Sequence, residues 1–236
     1  MAAAMARGMR GQVDGMLFSD SGSGRAQELA AGLGGEAAES NTELAERADV
    51  VVLAVKPAKL DEVAAELAAA KVVVSLLGAT SLARVRGALP GAEVVRVMPN
   101  VGVEVRKGVL CVAGVPDPAL RSLLEGLGRV VDLEDSEFDA ATAVMGCAPA
   151  YLALAVEAIA AAGAADGLDE ALARELVVET TAGTAELLRL RHPADLRKAV
   201  ASPGGSTEAG LEALDREGAR EAFEAAVRAS LERMRG

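Results

Sequence analysis

An α/β doubly wound domain followed by an all-helical domain is the fold class this sequence predicts. Three observations predict it. Short apolar runs rich in Val alternate with helical patterns as far as Leu133, the runs carry turn or polar residues at their ends, and strand signals stop after Leu133. The change of pattern divides the chain into residues 1–133 and residues 134–236.

MAAAMARG opens the chain as the first turns of a helix. Residues 16–18 read as a short strand ending in polar Ser19 and Asp20, and residues 25–31 as helix. Residues 50–55, in DVVVLAVKP, form a β-branched run of the kind buried on both faces of a parallel sheet. An amphipathic helix follows over residues 59–70. Residues 72–77 repeat the buried-strand pattern, Ser81 caps a helix reaching Leu89, and residues 93–98 are a further strand. Strands at 108–112 and 129–133 bracket a helix over 118–127. Strands alternating with helices at this spacing predict a parallel sheet, whose carboxyl edge is where ligands bind.

The second half is helical throughout. EDSEFDAATAVMG begins it, and CAPAYLALAVEAIAAAGAADG continues as a long, nearly uncharged helix with Pro149 near its start. Asp169 stands near the N-terminus of the next helix, where its charge suits the dipole. Further helices lie after Pro193 and on both sides of Gly218. A helix apolar nearly all round, as over residues 150–162, must be covered on every side, and about a hundred residues offer little cover. A second copy of the chain is the natural partner, and a self-contained bundle is the alternative.

Composition narrows the function. Apolar residues make up 51% of the 236 positions, aromatics only 2%, so the core is built from Val, Leu and Ala. A net charge of −11 with scattered Arg argues against a nucleic-acid binder, which needs a basic stripe. Cys111, Cys147 and the single His192 match no disulfide or metal spacing. No segment reads as long and apolar enough to span a bilayer, and no signal-peptide pattern opens the chain, so a cytoplasmic protein is expected.

Four stretches carry chemistry. In ASPGGSTEAG, Ser202-Pro203-Gly204-Gly205 reads as a tight turn, with Ser206 and Thr207 where an N-cap stands. Backbone N–H groups at two glycines before a helix suit a small anion such as a carboxylate, and Thr207 adds a hydroxyl. A plain capped helix gives the same pattern. AVKP, SLLGAT and RVMPN each close a predicted strand, which sets Lys56, Gly78, Pro99 and Asn100 along one sheet edge.

RVMPNVGVEVRKG, MGCAPAYLALAVEAIA and HPADLRKAVASPGGSTEAGLEAL, in this order after an AVKP strand end, resemble the pyrroline-5-carboxylate reductase family over essentially the whole chain. The resemblance implies a Rossmann-like domain, a helical dimerisation domain, and hydride transfer from a nicotinamide cofactor to a cyclic imino acid, giving proline. It implies that Ser202, Gly204, Gly205, Ser206 and Thr207 hold the substrate carboxylate and imine nitrogen, with Thr207 orienting and polarising the imine. Ala54, Val55, Lys56, Pro57, Leu77 and Gly78 would line the cofactor, with Met98, Pro99 and Asn100 near the nicotinamide. Departures are Val101-Gly102 where the family usually has threonine–proline, and Cys147-Ala148 where it has serine–glycine. Leu190 replaces a glutamate, and Arg197-Lys198 a lysine–aspartate pair.

The family opens with a strand and a glycine–x–glycine turn, and Met1 aligns with the residue just after that turn. Loss of the strand would leave residues 16–18 and 50–55 without a neighbour and impair cofactor binding; a chain starting upstream is the expected explanation. Asp20 stands where an acid contacts the ribose of NAD, whereas Ser21, Ser23 and Arg25 suit the 2′-phosphate of NADP. NADP is expected, NAD being the alternative. A non-catalytic relative and a reductase of another cyclic imino acid are the rival functions. A hydroxy-acid dehydrogenase is the weakest, because residues 150–162 carry no Lys or His base.

Overall fold

The computed structural model describes residues 1–235. It divides into two units, Met1–Gly146 together with the end of the chain from Leu231, and Cys147–Ser230.

In the first unit the elements run α1 (Ala2–Met9), β1 (Leu17–Phe18), α2 (Arg25–Leu33), β2 (Glu36–Ala37), α3 (Asn41–Arg47) and β3 (Val50–Leu53). They continue with α4 (Leu60–Glu66), β4 (Val72–Ser75), α5 (Leu82–Ala88), β5 (Glu93–Pro99), β6 (Gly108–Ala113), α6 (Pro118–Glu125), β7 (Gly128–Asp132) and α7 (Phe138–Ala141). Strands β3 to β7 form one five-stranded sheet in sequence order, and β1 pairs with β2 in a separate two-stranded parallel sheet. Among the described residues β1 has β2 as its one ladder partner, and β3 has β4.

Period-two alternation sends successive side chains to opposite faces. Val73 of β4 and Val94 of β5 join Leu60, Leu67 and Val85 on one face, whereas Val74 and Val95 join Met5, Leu124 and Leu127 on the other. Both faces are covered, which is why these strands read as continuous apolar runs. Helix α1 packs against the 3-10 turn Val101–Val105 so closely that a Cβ on Gly8 would lie 2.1 Å from the Val103 carbonyl oxygen.

The sheet departs from the parallel expectation at one ladder. β5 pairs antiparallel with β6, and β6 then runs parallel to β7. The link over residues 100–107 is too short for a crossover, which takes a dozen residues or more. Two elements absent from the sequence reading also appear. Strand β2 is two residues long with no apolar run, and α3 is a seven-residue helix capped by Ser40, whose Oγ accepts from Glu43 N.

The contact boundary falls after the change of pattern at Leu133, because Phe138, Ala143 and Met145 are buried with the first unit. Helix α7 passes into a π-helical turn, Thr142–Gly146.

The second unit contains α8 (Ala148–Ala165), α9 (Glu170–Leu188), α10 (Pro193–Val200) and α11 (Ser206–Arg216), and α12 (Ala219–Arg235) begins in it. Ala173 and Leu196 are its buried apolar residues. Tyr151 of α8 bonds Ser230 of α12 through their hydroxyls at 2.5 Å. The run Asp135–Ala165 is long and apolar enough to cross a membrane by length and composition alone. This corrects the expectation that no such segment exists. The same composition is that of an apolar helix awaiting a protein partner.

Candidate active site

Parallel pairing of β3, β4 and β5, with Leu53 opposite Ser75 and Ser75 opposite Arg96, brings the ends of three strands to one edge. Ala54, Lys56 and Pro57 are exposed there, Val55 is half-buried, and Gly78 is exposed. Met98 and Asn100 are half-buried at the end of β5. Leu77 and Pro99 differ from the rest. Both are buried in the single chain, backbone as well as side chain.

A dinucleotide needs open backbone and unpaired positive charge at such an edge. Gly78 supplies the first: a Cβ built there has no atom within 4 Å. Ala79 beside it takes φ 50°, and the Thr80 hydroxyl donates to the Gly78 carbonyl at 3.0 Å, which fixes the turn. Lys56 supplies the charge at that edge, and Arg25 stands at the start of α2 after β1; neither has an ion pair among the described residues. The residues therefore fit a nicotinamide dinucleotide. Met1, exposed, is the residue at the start of α1.

At the end of β1, Asp20 is already engaged. Its carboxylate accepts from the N–H groups of Gly22 (2.6 Å), Ser23 (2.9 Å) and Ala26 (2.7 Å), and from the Ser23 hydroxyl (3.1 Å). The Ala26 N–H bond leads in holding the carboxyl below the usual carboxylate range, against the opposing effect of burial. With four donors upon it, Asp20 organises the loop, and half-buried Ser19 with exposed Ser21 and Arg25 surround it.

Asn100 is engaged as well. Its Oδ1 accepts from Gly102 N (3.2 Å) and Val109 N (3.1 Å), and its Nδ2 donates to the Met145 carbonyl at 3.2 Å. Arg96, buried in β5, donates to Asp135 Oδ1 at 2.7 Å and stacks on Phe138 with its guanidinium carbon 4.3 Å from the ring centroid. Asp135 Oδ2 in turn accepts from Leu82 N at the start of α5.

The second unit carries the 202–207 turn. Gly205 N donates to the Ser202 carbonyl at 3.0 Å and Gly204 takes φ 72°. Gly205 is the N-cap of α11, so Ser206 and Thr207 are its first two helical residues and not caps. A cap needs extended backbone, and the turn reaches that at Gly205, with ψ 167°. Ser202, Ser206 and Thr207 are exposed, and their hydroxyls bond to nothing among the described residues. Glu208, absent from the sequence reading, accepts from Gly204 N at 2.7 Å. The glycine–serine–threonine–glutamate spacing, an acid three residues after the cap, is the signal for it. His192 caps α10, its Nδ1 accepting from Ala194 N at 3.3 Å.

Similarity to known proteins agrees with this architecture. Residues 135–236 match the family described as pyrroline-5-carboxylate reductase dimerisation, and residues 1–78 match one described as NADP oxidoreductase, coenzyme F420-dependent. A pyrroline-5-carboxylate reductase of Synechocystis is 39% identical over 204 residues, covering 82% of this chain and 76% of its own. The structure of 1-pyrroline-5-carboxylate reductase from Streptococcus pyogenes superposes with a TM-score of 0.89 at 29% identity, over 100% of this chain and 94% of that one. The Plasmodium falciparum pyrroline carboxylate reductase with NADP bound shares the fold, with a TM-score of 0.86 at 24% identity over 99% and 92% of the two chains. The chain belongs to the pyrroline-5-carboxylate reductase family.

Proposed function

We propose that this protein reduces 1-pyrroline-5-carboxylate to L-proline, the last step of proline biosynthesis, with NADPH as reductant and NADH as the alternative. Beyond family membership, the observation that carries the reading is the open start of α11, where unpaired hydroxyls stand beside helical N–H groups. The first amides of a helix favour an anion, which suits the substrate carboxylate. Ser202, Gly204, Gly205 and Ser206 form that receptor, with Gly204 N–H freed when Glu208 gives way. Thr207 orients the imine nitrogen through its hydroxyl. When bound, the reduced nicotinamide supplies hydride to the imine carbon, while the nitrogen takes up one proton and becomes the ring amine.

On the first unit, Met1, Ala54, Val55, Lys56, Pro57, Leu77 and Gly78 hold the dinucleotide, with Met98 and Pro99 at its nicotinamide end. Ser19, Ser21 and Arg25, on a loop shaped by Asp20, receive the ribose 2′-phosphate. A carbon already electrophilic needs little acid–base help, so holding the reactants together supplies on the order of 7–11 kcal/mol of the acceleration.

The active form is a homodimer or larger homo-oligomer closed through the helical unit, whose Leu152, Leu154 and Ile159 are exposed in the single chain. This accounts for the apolar run without a membrane. The charge of −11 supports a small-molecule partner over nucleic acid, and two free cysteines suit a reducing, cytoplasmic setting.

Pyrroline-5-carboxylate-dependent NADPH oxidation tests the reading. Thr207→Val should lower kcat/KM about a hundredfold with the NADPH dissociation constant unchanged. A folded wild-type oligomer without turnover would sink the assignment.

A further inference from the structure

Helix α1 is eight residues long, a length that is marginal by itself, so its order depends on what holds it. The last carbonyls of any helix lack partners within it. Here Arg106 serves two of them: its Nε donates to the Gly8 carbonyl at 2.9 Å, and its Nη2 to the Arg10 carbonyl at 2.6 Å. A positive charge at that end also suits the helix dipole. Arg106 closes the 3-10 turn Val101–Val105 with φ 57°, a left-handed backbone that glycine takes freely and an L side chain takes at a cost. The two bonds its side chain makes to α1 offset that cost. Val103 of the same turn packs on Gly8, while Glu104 pairs with Arg7 at 3.2 Å on the surface, which adds little.

Resting on the dinucleotide reading above, we propose that Arg106 is a positioning residue for NADPH binding: it clasps the carbonyl end of α1 and so orders the helix whose N-cap, Met1, holds the dinucleotide. Clasp, helix and dinucleotide edge all belong to the first unit. Groups already ordered before a ligand arrives bind it more tightly, because ordering them on binding costs affinity. Without Arg106, α1 frays from its carbonyl end, and the ligand must order the N–H groups of its first turn. The guanidinium is engaged by helix carbonyls, so it acts through α1 and not on the ligand.

Arg106→Gly removes the guanidinium and at the same time relieves the left-handed backbone, so the chain should stay folded. Arg106→Lys keeps the positive charge, with one ammonium in place of a fork that spans two carbonyls. Both are compared with wild type for the NADPH dissociation constant, titrated directly, and for amide exchange over residues 5–10 of α1. Positioning predicts, in both variants, exchange faster by about tenfold and NADPH binding weaker by about tenfold, the scale of one lost hydrogen bond to a charged group. Unchanged exchange overturns the clasp. Faster exchange with NADPH affinity unchanged overturns the positioning role. Affinity lost in Arg106→Gly but restored in Arg106→Lys overturns it too, since Arg106 is then a charge that attracts the phosphates. If wild type binds neither NADPH nor NADH, the dinucleotide reading fails and takes the positioning role with it, while exchange alone still decides the clasp.

Discussion

The two units solve the burial problem differently. The first closes its core with its own chain: Val73, Val85, Val95 and Leu124 lose all contact with solvent between sheet and helices. The second leaves Leu152, Leu154, Ile159, Leu172 and Leu176 exposed, although α8 is the most apolar helix of the chain. A sheet with helices on both faces is complete by itself, whereas two long apolar helices side by side still show their outer faces. The helical unit matches a dimerisation family, and its uncovered apolar faces are what a second copy would bury.

Breaking that half should have the largest effect. Leu154 is 66% exposed in the single chain, so Leu154→Glu costs the isolated protomer little. Buried in a homo-oligomer, the charge is costly and should dissociate it. Sedimentation should show a folded monomer with reductase activity lost. An unchanged oligomer would place the interface elsewhere.

The matching change in the first unit acts on stability. Leu124 is fully buried against Val95 and Leu127, and Leu124→Ala should cost about 3 kcal/mol in denaturant unfolding. The oligomeric state should not change. If the oligomer dissociates as well, the units are not independent.

How much of this was legible follows the same division. Strands β3 and β4 were readable because burial on both faces leaves an uninterrupted Val run, and β5 because Arg96 alone breaks its apolar run. Strand β2 was not, because two residues carry no period, yet Ser40 and Glu43 stood at capping-box spacing before α3. The antiparallel β5–β6 ladder was legible in principle from its short link. At the site, the 202–207 turn was readable from its glycines, but its register was not. Whether Gly205 or Ser206 is the cap depends on one backbone torsion, and side-chain preference pointed to serine. The partners of Asn100 were beyond reach, since Met145 lies 45 residues away in the chain.

The smallest expected effect separates the two loops proposed to face the ligands. The 20–25 loop of the first unit is tied down by Asp20, whereas the hydroxyls at the start of α11 are free. Asp20 titrates below the usual carboxylate range because the N–H groups of Ala26, Gly22 and Ser23 bond its charged form, outweighing burial. A carboxyl whose folded pKa is depressed contributes its stability fully above its unfolded pKa and loses it as pH falls through the lower, folded value. The amides of Gly22, Ser23 and Ala26 should therefore stay protected down through the ordinary carboxylate range and open only in stronger acid. Asp20→Asn, with one acceptor oxygen in place of two, should loosen the same amides already at neutral pH and weaken NADPH binding severalfold through Arg25. Amide exchange followed across acid pH checks this. If the variant leaves these amides protected while abolishing NADH binding alone, Asp20 reads the ribose directly and does not organise the loop.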